Sequence, residues 1–254
     1  MGKGEVKPKQ RQTGILGVVA EAGEASVEAL AARFGVSAET IRRDLAHLAE
    51  SGALQKVHGG ARRLRLHAEG SYRERMAQDA GAKTMIARKL AGIVAPGDTL
   101  FMDTGTTTVA CAAALVAVPG LTVITNALRV AQVLGQGDAR VFLLGGAYAH
   151  DNAETVGPLV IEQIGRFQAD HAVLTVTAVD TLAGATDADP DEALVSRAMI
   201  DHARTTVVVA NAAKLGRVAA FRVCRLDQID MLVCDETPPD AFVAAVQAAG
   251  VDLR

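Results

Sequence analysis

The run Asp103-Thr104-Gly105-Thr106-Thr107-Thr108 combines the groups that hold an anion. A glycine lets the backbone turn tightly and approach a ligand closely. Three threonine hydroxyls follow it, and a helix beginning there would add its free N–H groups. No lysine occupies the position that a triphosphate-binding loop requires, which excludes a nucleoside triphosphate cradle. Asn126 and Lys214 follow other β-branched runs, as does the pair Gly145-Gly146. All of these fall beyond the carboxyl ends of expected strands, where open α/β sheets bind ligands. They therefore read as one polar site with an anion end and a hydroxyl end. Alone, Lys214 reads better as a surface lysine, and Asn126 equally well as a helix cap.

A second constellation lies near the N-terminus. Ile41, Leu45 and Leu48 recur at i, i+4 and i+7, which leaves Glu39, Arg42, Arg43 and Ala46 on the opposite helix face. Arginine donates two hydrogen bonds to a guanine edge or clamps a phosphate. Ser37 and Thr40 stand where a helix N-terminus meets a phosphate. Lys56, His58 and the turn Gly59-Gly60 suit a wing along the DNA backbone. The competing reading is a helical hairpin packed on a partner, with its arginines merely solvated.

Nothing comparable points to catalysis or metal. Asp180, Asp187, Asp189 and Glu192 have no spacing that defines an acid–base dyad. His58, His67, His150, His171 and His202 lack metal-ligand spacing. Cys111, Cys224 and Cys234 are far apart and read as buried thiols in a reducing cytoplasm. No catalytic residue, metal or cofactor is expected.

The elements that must position these residues follow from the pattern. A first helix spans 11–22 and ends at Gly23. Ser26 caps a second, in which Val27, Leu30, Ala31 and Phe34 repeat at helical spacing. Gly35 breaks it, and Ser37 caps a third that runs to Ser51 and ends at Gly52. Residues 54–58 are extended, and Gly59-Gly60 closes a hairpin. Two short helices joined by Gly-Val-Ser, followed by this hairpin, make a winged helix-turn-helix over residues 1–61. Residues 62–76 show no periodicity and read as a linker. Residues 77–254 alternate helical stretches with β-branched runs at 99–102, 121–125, 141–144, 172–176, 206–209 and 231–234. That alternation predicts an α/β domain with a mostly parallel sheet.

Composition agrees. Half of the 254 residues are apolar, enough for a sizeable core. The net charge of −3 divides into +4 over residues 1–66 and −7 over the rest, a basic head on an acidic body. No apolar run is long enough to span a membrane, and residues 1–12 do not read as a signal peptide. Tryptophan is absent, which argues against a stacking platform for single strands.

The stretch LAARFGVSAETIRRDLAHL from Leu30 to Leu48, with GALQKVHGGA after it, closely resembles the DeoR family of sugar-metabolism regulators. FMDTGTTT, LTVITNA, FLLGG and the segment EALVSRAMIDH from Glu192 to His202 extend the resemblance over nearly the whole chain. The resemblance implies a repressor of sugar or polyol catabolism genes, with Ser37, Thr40, Arg42 and Arg43 at the DNA. It implies a sensor similar in fold to ribose-5-phosphate isomerases, binding a phosphosugar or polyol phosphate near Asp103, Gly105, Thr106, Thr107, Thr108, Asn126 and Lys214, with Gly146 at the same strand ends. Residues 216–235 look most like members related to glycerol-3-phosphate repressors. The usual Ala-Asp-x-Ser-Lys is here Ala210-Asn211-Ala212-Ala213-Lys214, and a glycine-rich turn is replaced by the run from Thr175 to Asp180. The expectation is a cytoplasmic homodimer or homotetramer on double-stranded operator DNA, with no membrane partner. The alternative is a phosphosugar isomerase with an accessory DNA-binding head.

Overall fold

The computed structural model describes residues 8–50, 54–57, 59–62 and 70–254. The chain divides into two compact units, Met1–Arg65 and Leu66–Arg254.

In the first unit, α1 (Pro8–Ala22) leads through β1 (Glu24–Ser26) to α2 (Val27–Phe34) and α3 (Ala38–Glu50). The strands β2 (Gln55–Val57) and β3 (Gly60–Arg62) complete it. The caps stand where the sequence places them. Ser26 Oγ accepts from Ala29 N at 3.1 Å, and Gly35 ends α2 in the left-handed conformation. Ser37 Oγ accepts from Thr40 N at 3.1 Å. Ile15 and Val19 of α1, Leu30 of α2 and Ile41, Leu45 and Leu48 of α3 close on one core. The wing is a three-stranded antiparallel sheet ordered β1-β3-β2. The strand β1 was not anticipated, because three residues are too few for an alternating pattern. A side chain at Gly60 would place its Cβ 2.3 Å from Ala25 O, so only glycine allows β3 to lie against β1.

The second unit begins with α4 (Tyr72–Ala77) and α5 (Ala80–Ala91). The helix α4 overlaps the end of the stretch 62–76, which reads as a linker from sequence. Six residues are too short to show periodicity, but Ser71 and Glu74 form a reciprocal capping box at its start. At its other end the buried Lys83 ammonium donates to the carbonyls of Arg75 and Gln78.

The remaining elements follow as β4 (Thr99–Met102), α6 (Thr106–Leu115), β5 (Thr122–Thr125), α7 (Leu128–Leu134) and β6 (Arg140–Leu143). A hairpin of β7 (Ala147–Ala149) and β8 (Glu154–Val156) leads into α8 (Pro158–Ile164) and β9 (Ala169–Thr175). Then come β10 (Ala178–Asp180), β11 (Gly184–Asp187), α9 (Pro190–Asp201), β12 (Ala203–Val209), β13 (Phe221–Cys224), β14 (Met231–Val233), α10 (Asp240–Ala248) and β15 (Asp252–Leu253). The main sheet is parallel in the order β15-β14-β12-β9-β4-β5-β6 and contains every expected strand. The short antiparallel β10-β11-β13 sheet and the β7-β8 hairpin were not anticipated. Successive side chains of β4 enter opposite cores, Leu100 and Met102 on one face and Phe101 on the other. The chain leaves β4 toward β5 and β6 on one side and returns to β9 and β12 on the other. The order in which strands are added therefore reverses between β4 and β9, and a crevice is expected at their carboxyl ends. Among the described residues, no helix is long and apolar enough to cross a membrane.

Candidate functional sites

The loop after β4 is fastened to the end of β9 across this reversal. Thr175 N donates to both carboxylate oxygens of Asp103, at 3.0 and 2.9 Å, and Thr175 Oγ1 donates to Thr104 O at 2.8 Å. A Cβ on Gly105 would stand 2.4 Å from Thr175 Oγ1. Gly105→Val should therefore part the loop from β9. The expected outcome is at least a tenfold loss of affinity for a phosphorylated ligand, read by calorimetry, and unchanged affinity would remove the loop from the site.

Thr106 and Thr107, in the first turn of α6, line a cleft of about 220 Å³ together with Arg75, Asn211, Lys214 and Arg217. Lys214 Nζ donates to Val176 O at 2.6 Å, and its charge offsets a small part of the burial that raises the pKa values of Asp103 and Asp187. Thr108 is fully buried and donates its hydroxyl to Gly105 O at 3.0 Å, so it braces the turn and does not face the cleft. A second cleft, of about 710 Å³, includes Tyr72, Arg129, Asn152, Asp187 and Glu192. Gly70 and Arg75 line both clefts.

Of the expected effector residues, Asp103, Gly105, Thr108, Asn126 and Gly146 line neither cleft. Asn126 is buried and donates to Glu154 Oε2 and Thr155 O, both at 2.9 Å, so it supports a carboxylate from behind. Gly146 packs against Val160 and the backbone of Val156, which a Cβ would meet at 2.5 and 2.7 Å. Of the acids considered for catalysis, Asp180 closes a turn by accepting from Leu182 N and Ala183 N, and Asp189 caps α9.

Glu154 carried no sequence signal. It is 1% exposed and hydrogen-bonds to Glu192. Burial and then the facing Glu154 charge push Glu192 upward. Burial likewise raises Glu154, against hydrogen bonds from Asn152, Glu192 and Asn126. Asp103 and Asp187 are raised, chiefly by burial. An acid raised on folding binds more protons folded than unfolded, between its unfolded and folded pKa values. Stability is then full below the ordinary carboxylate range and falls as pH climbs through the raised values. The sensor unit should therefore melt at a higher temperature at pH 5.5 than at pH 8. An equal or reversed order in calorimetric scans would mean that these acids are ionised and paired.

In the first unit, α3 presents Ser37, Glu39, Arg42 and Arg43 to solvent, with Thr40 partly covered. Ser37 Oγ and Thr40 Oγ1 are 2.9 Å apart. Arg42 Nη1 meets Glu39 Oε2 at 3.3 Å with both side chains mostly exposed, a pairing worth little in water. Lys56 is exposed on β2, and His58 lies outside the described residues. Asp44, on the same helix, faces inward. Arg11 Nε reaches its Oδ2 at 2.5 Å with both side chains under a tenth exposed, and Gln12 Nε2 donates to its Oδ1 at 3.1 Å.

A family model described as "DeoR-like helix-turn-helix domain" matches residues 11–65, and one described as "DeoR C terminal sensor domain" matches residues 78–236. The chain belongs to the DeoR family. It is 34% identical to the glycerol-3-phosphate regulon repressor of Escherichia coli K12 over 250 residues, 98% of this chain and 99% of that one. It is 32% identical to the transcriptional repressor GlcR of Bacillus subtilis 168, covering 96% of this chain and 95% of the relative. A solved ribose 5-phosphate isomerase A from Neisseria gonorrhoeae matches 52% of each chain at 13% identity, with a TM-score of 0.40. Two of this DeoR-family member's departures from the usual pattern, Asn211 and Ala213, both line the smaller cleft. Asn211 Nδ2 donates to Asp79 Oδ2 at 2.9 Å, a bond that a carboxylate at 211 could not make.

Proposed function

We propose that the chain is a transcriptional repressor that binds operator DNA through α3 and the wing and is modulated by a phosphorylated sugar or polyol. It acts in the cytoplasm as a homodimer or homotetramer, so that paired heads meet paired half-sites. DNA contact is assigned to Ser37, Glu39, Thr40, Arg42, Arg43, Lys56 and His58. Effector contact is assigned to Thr106, Thr107 and Lys214, with Asp103, Gly105 and Thr108 holding the loop and Asn126 behind it. The observation that carries the sensor reading is the convergence of the α6 N-terminus and Lys214 on one cleft at the reversal of strand order. The effector acts by favouring one of two DNA affinities, which requires it to bind the two states unequally.

The test is melting temperature against sugar and polyol phosphates, each beside its unphosphorylated parent, with glycerol 3-phosphate first. A ligand at about 100 times its Kd adds roughly 2.7 kcal/mol to the folded state. A shift with a phosphorylated compound and none with its parent supports the cleft, and no shift across the panel rejects it.

The Glu154–Glu192 pair favours a second reading, because Glu192 lines the larger cleft with Glu154 hydrogen-bonded to it, and two adjoining carboxyls could move protons on a sugar. Conversion of an aldose phosphate to its ketose, followed by NMR, would support that reading over binding without turnover.

A further inference from the structure

Tyr72, the first residue of α4, is 5% exposed, and among the described residues its hydroxyl has no hydrogen-bond partner. The Arg129 guanidinium, from the first turn of α7, lies 4.1 Å from the Tyr72 ring centroid. Its buried Nε is also unpartnered, and among the described residues no carboxylate or carbonyl pairs with the group. Tyr72 and Arg129 both line the larger cleft. Arg75, 5.6 Å from the centroid of the same ring, is by contrast anchored to Gly70 O and to Asn152 Oδ1.

Buried polar groups are normally satisfied, and those that are not ask for an explanation. Here two donors, a phenol and a guanidinium, face one cleft without an acceptor. Arginine has no acceptor capacity, so the missing partner must supply lone pairs. A guanidinium stacked on an aromatic ring is held flat with its donor fork fixed, the arrangement that suits a bidentate oxyanion. The four carboxylates of this cleft do not meet that need: Asp189 caps α9, and the exposed Asp151 bonds to neither donor. Glu192 takes its hydrogen bond from Asn152, and Asp187 is occupied by Thr177 and by backbone N–H groups.

We propose that Arg129 and Tyr72 form a second oxyanion subsite, and that the effector is a sugar derivative with anionic groups at both ends, a phosphate and a carboxylate or second phosphate. The proposal rests on the reading of the smaller cleft as the phosphate end. Because Gly70 and Arg75 line both clefts, one elongated ligand can occupy them together.

The test uses probes that differ only at the far end. Sorbitol 6-phosphate and 6-phosphogluconate share a six-carbon chain and a phosphate, and only the second carries a terminal carboxylate. Fructose 1,6-bisphosphate supplies a second phosphate instead, and gluconate supplies the carboxylate alone. Calorimetry on the full chain should show 6-phosphogluconate or the bisphosphate binding about tenfold to a hundredfold tighter than sorbitol 6-phosphate, the range of one charge-assisted contact. Whichever is preferred identifies the second group as carboxylate or phosphate. In Arg129→Gln that preference should vanish, with sorbitol 6-phosphate affinity retained. Arg129→Lys keeps the charge and stem but not the fork, and should keep only part of the preference. Equal affinities in the unaltered protein would overturn the subsite, as would a preference untouched by either substitution. If no phosphorylated probe binds but gluconate does so through Arg129, the subsite stands and the phosphate cleft falls. If no probe binds, both fall.

Discussion

Replacing Arg42 and Arg43 together by alanine is expected to abolish operator binding while leaving both units folded. Both side chains are exposed on α3, and neither contributes to the core of Ile41, Leu45 and Leu48 beneath. A contact from arginine to a base edge or phosphate is worth about 1–3 kcal/mol, so the pair should cost about 2–6 kcal/mol of DNA affinity. The salt dependence separates the two roles. Each lost phosphate contact lowers the slope of log affinity against log salt by about 0.9, whereas a lost base contact leaves the slope nearly unchanged and relaxes sequence preference. Glu39 supplies the opposite sign. Its exposed pairing with Arg42 contributes little stability, so Glu39→Gln should leave melting unchanged and strengthen binding to any sequence by removing a negative charge from the interface. A narrower gain, at one base position, would mean that Glu39 accepts from a cytosine amino group. Unchanged binding by the double arginine variant, in a mobility-shift titration, would reject α3 as the reading helix.

The parts of this architecture visible in the sequence are those written locally. Ser26, Gly35 and Ser37 fix the ends of α2 and α3 because caps act within one turn, and the β-branched runs mark the central strands because those are buried on both faces. Strand order is not local. Every expected strand offered polar residues at its carboxyl end, and only the placement of β9 beside β4 selects among them. Thr106, Thr107 and Lys214 gather at that junction, whereas Gly146 follows the edge strand β6 and serves packing instead. The direction of Thr108 was equally hidden, since its hydroxyl turns back to Gly105. Glu154 lies on a three-residue strand, and its partner Glu192 is far along the chain. Buried charges look like surface charges until the fold brings their partners to them.

Arg11 and Asp44 are the clearest instance, and they carry the second large prediction. Thirty-three residues separate them, yet Arg11 Nε and Nη2 reach the two Asp44 oxygens at 2.5 and 3.3 Å in a nearly dry contact between α1 and α3. Removing one member of a buried pair takes the paired charge away from the other, at a cost of about 3–5 kcal/mol. A unit this small has little reserve, so Asp44→Ala should unfold the head near room temperature and leave the sensor's melting transition in place. DNA binding would be lost although Arg42 and Arg43 remain, which is why loss of binding alone does not identify a contact residue. The paired replacement Arg11→Met with Asp44→Leu removes both charges and fills their space. Such exchanges are often neutral or stabilising, so the head should refold. Recovery of both head stability and operator affinity would show that the pair acts by holding α3 on α1. Recovery of stability without affinity would place one of the two charges at the DNA.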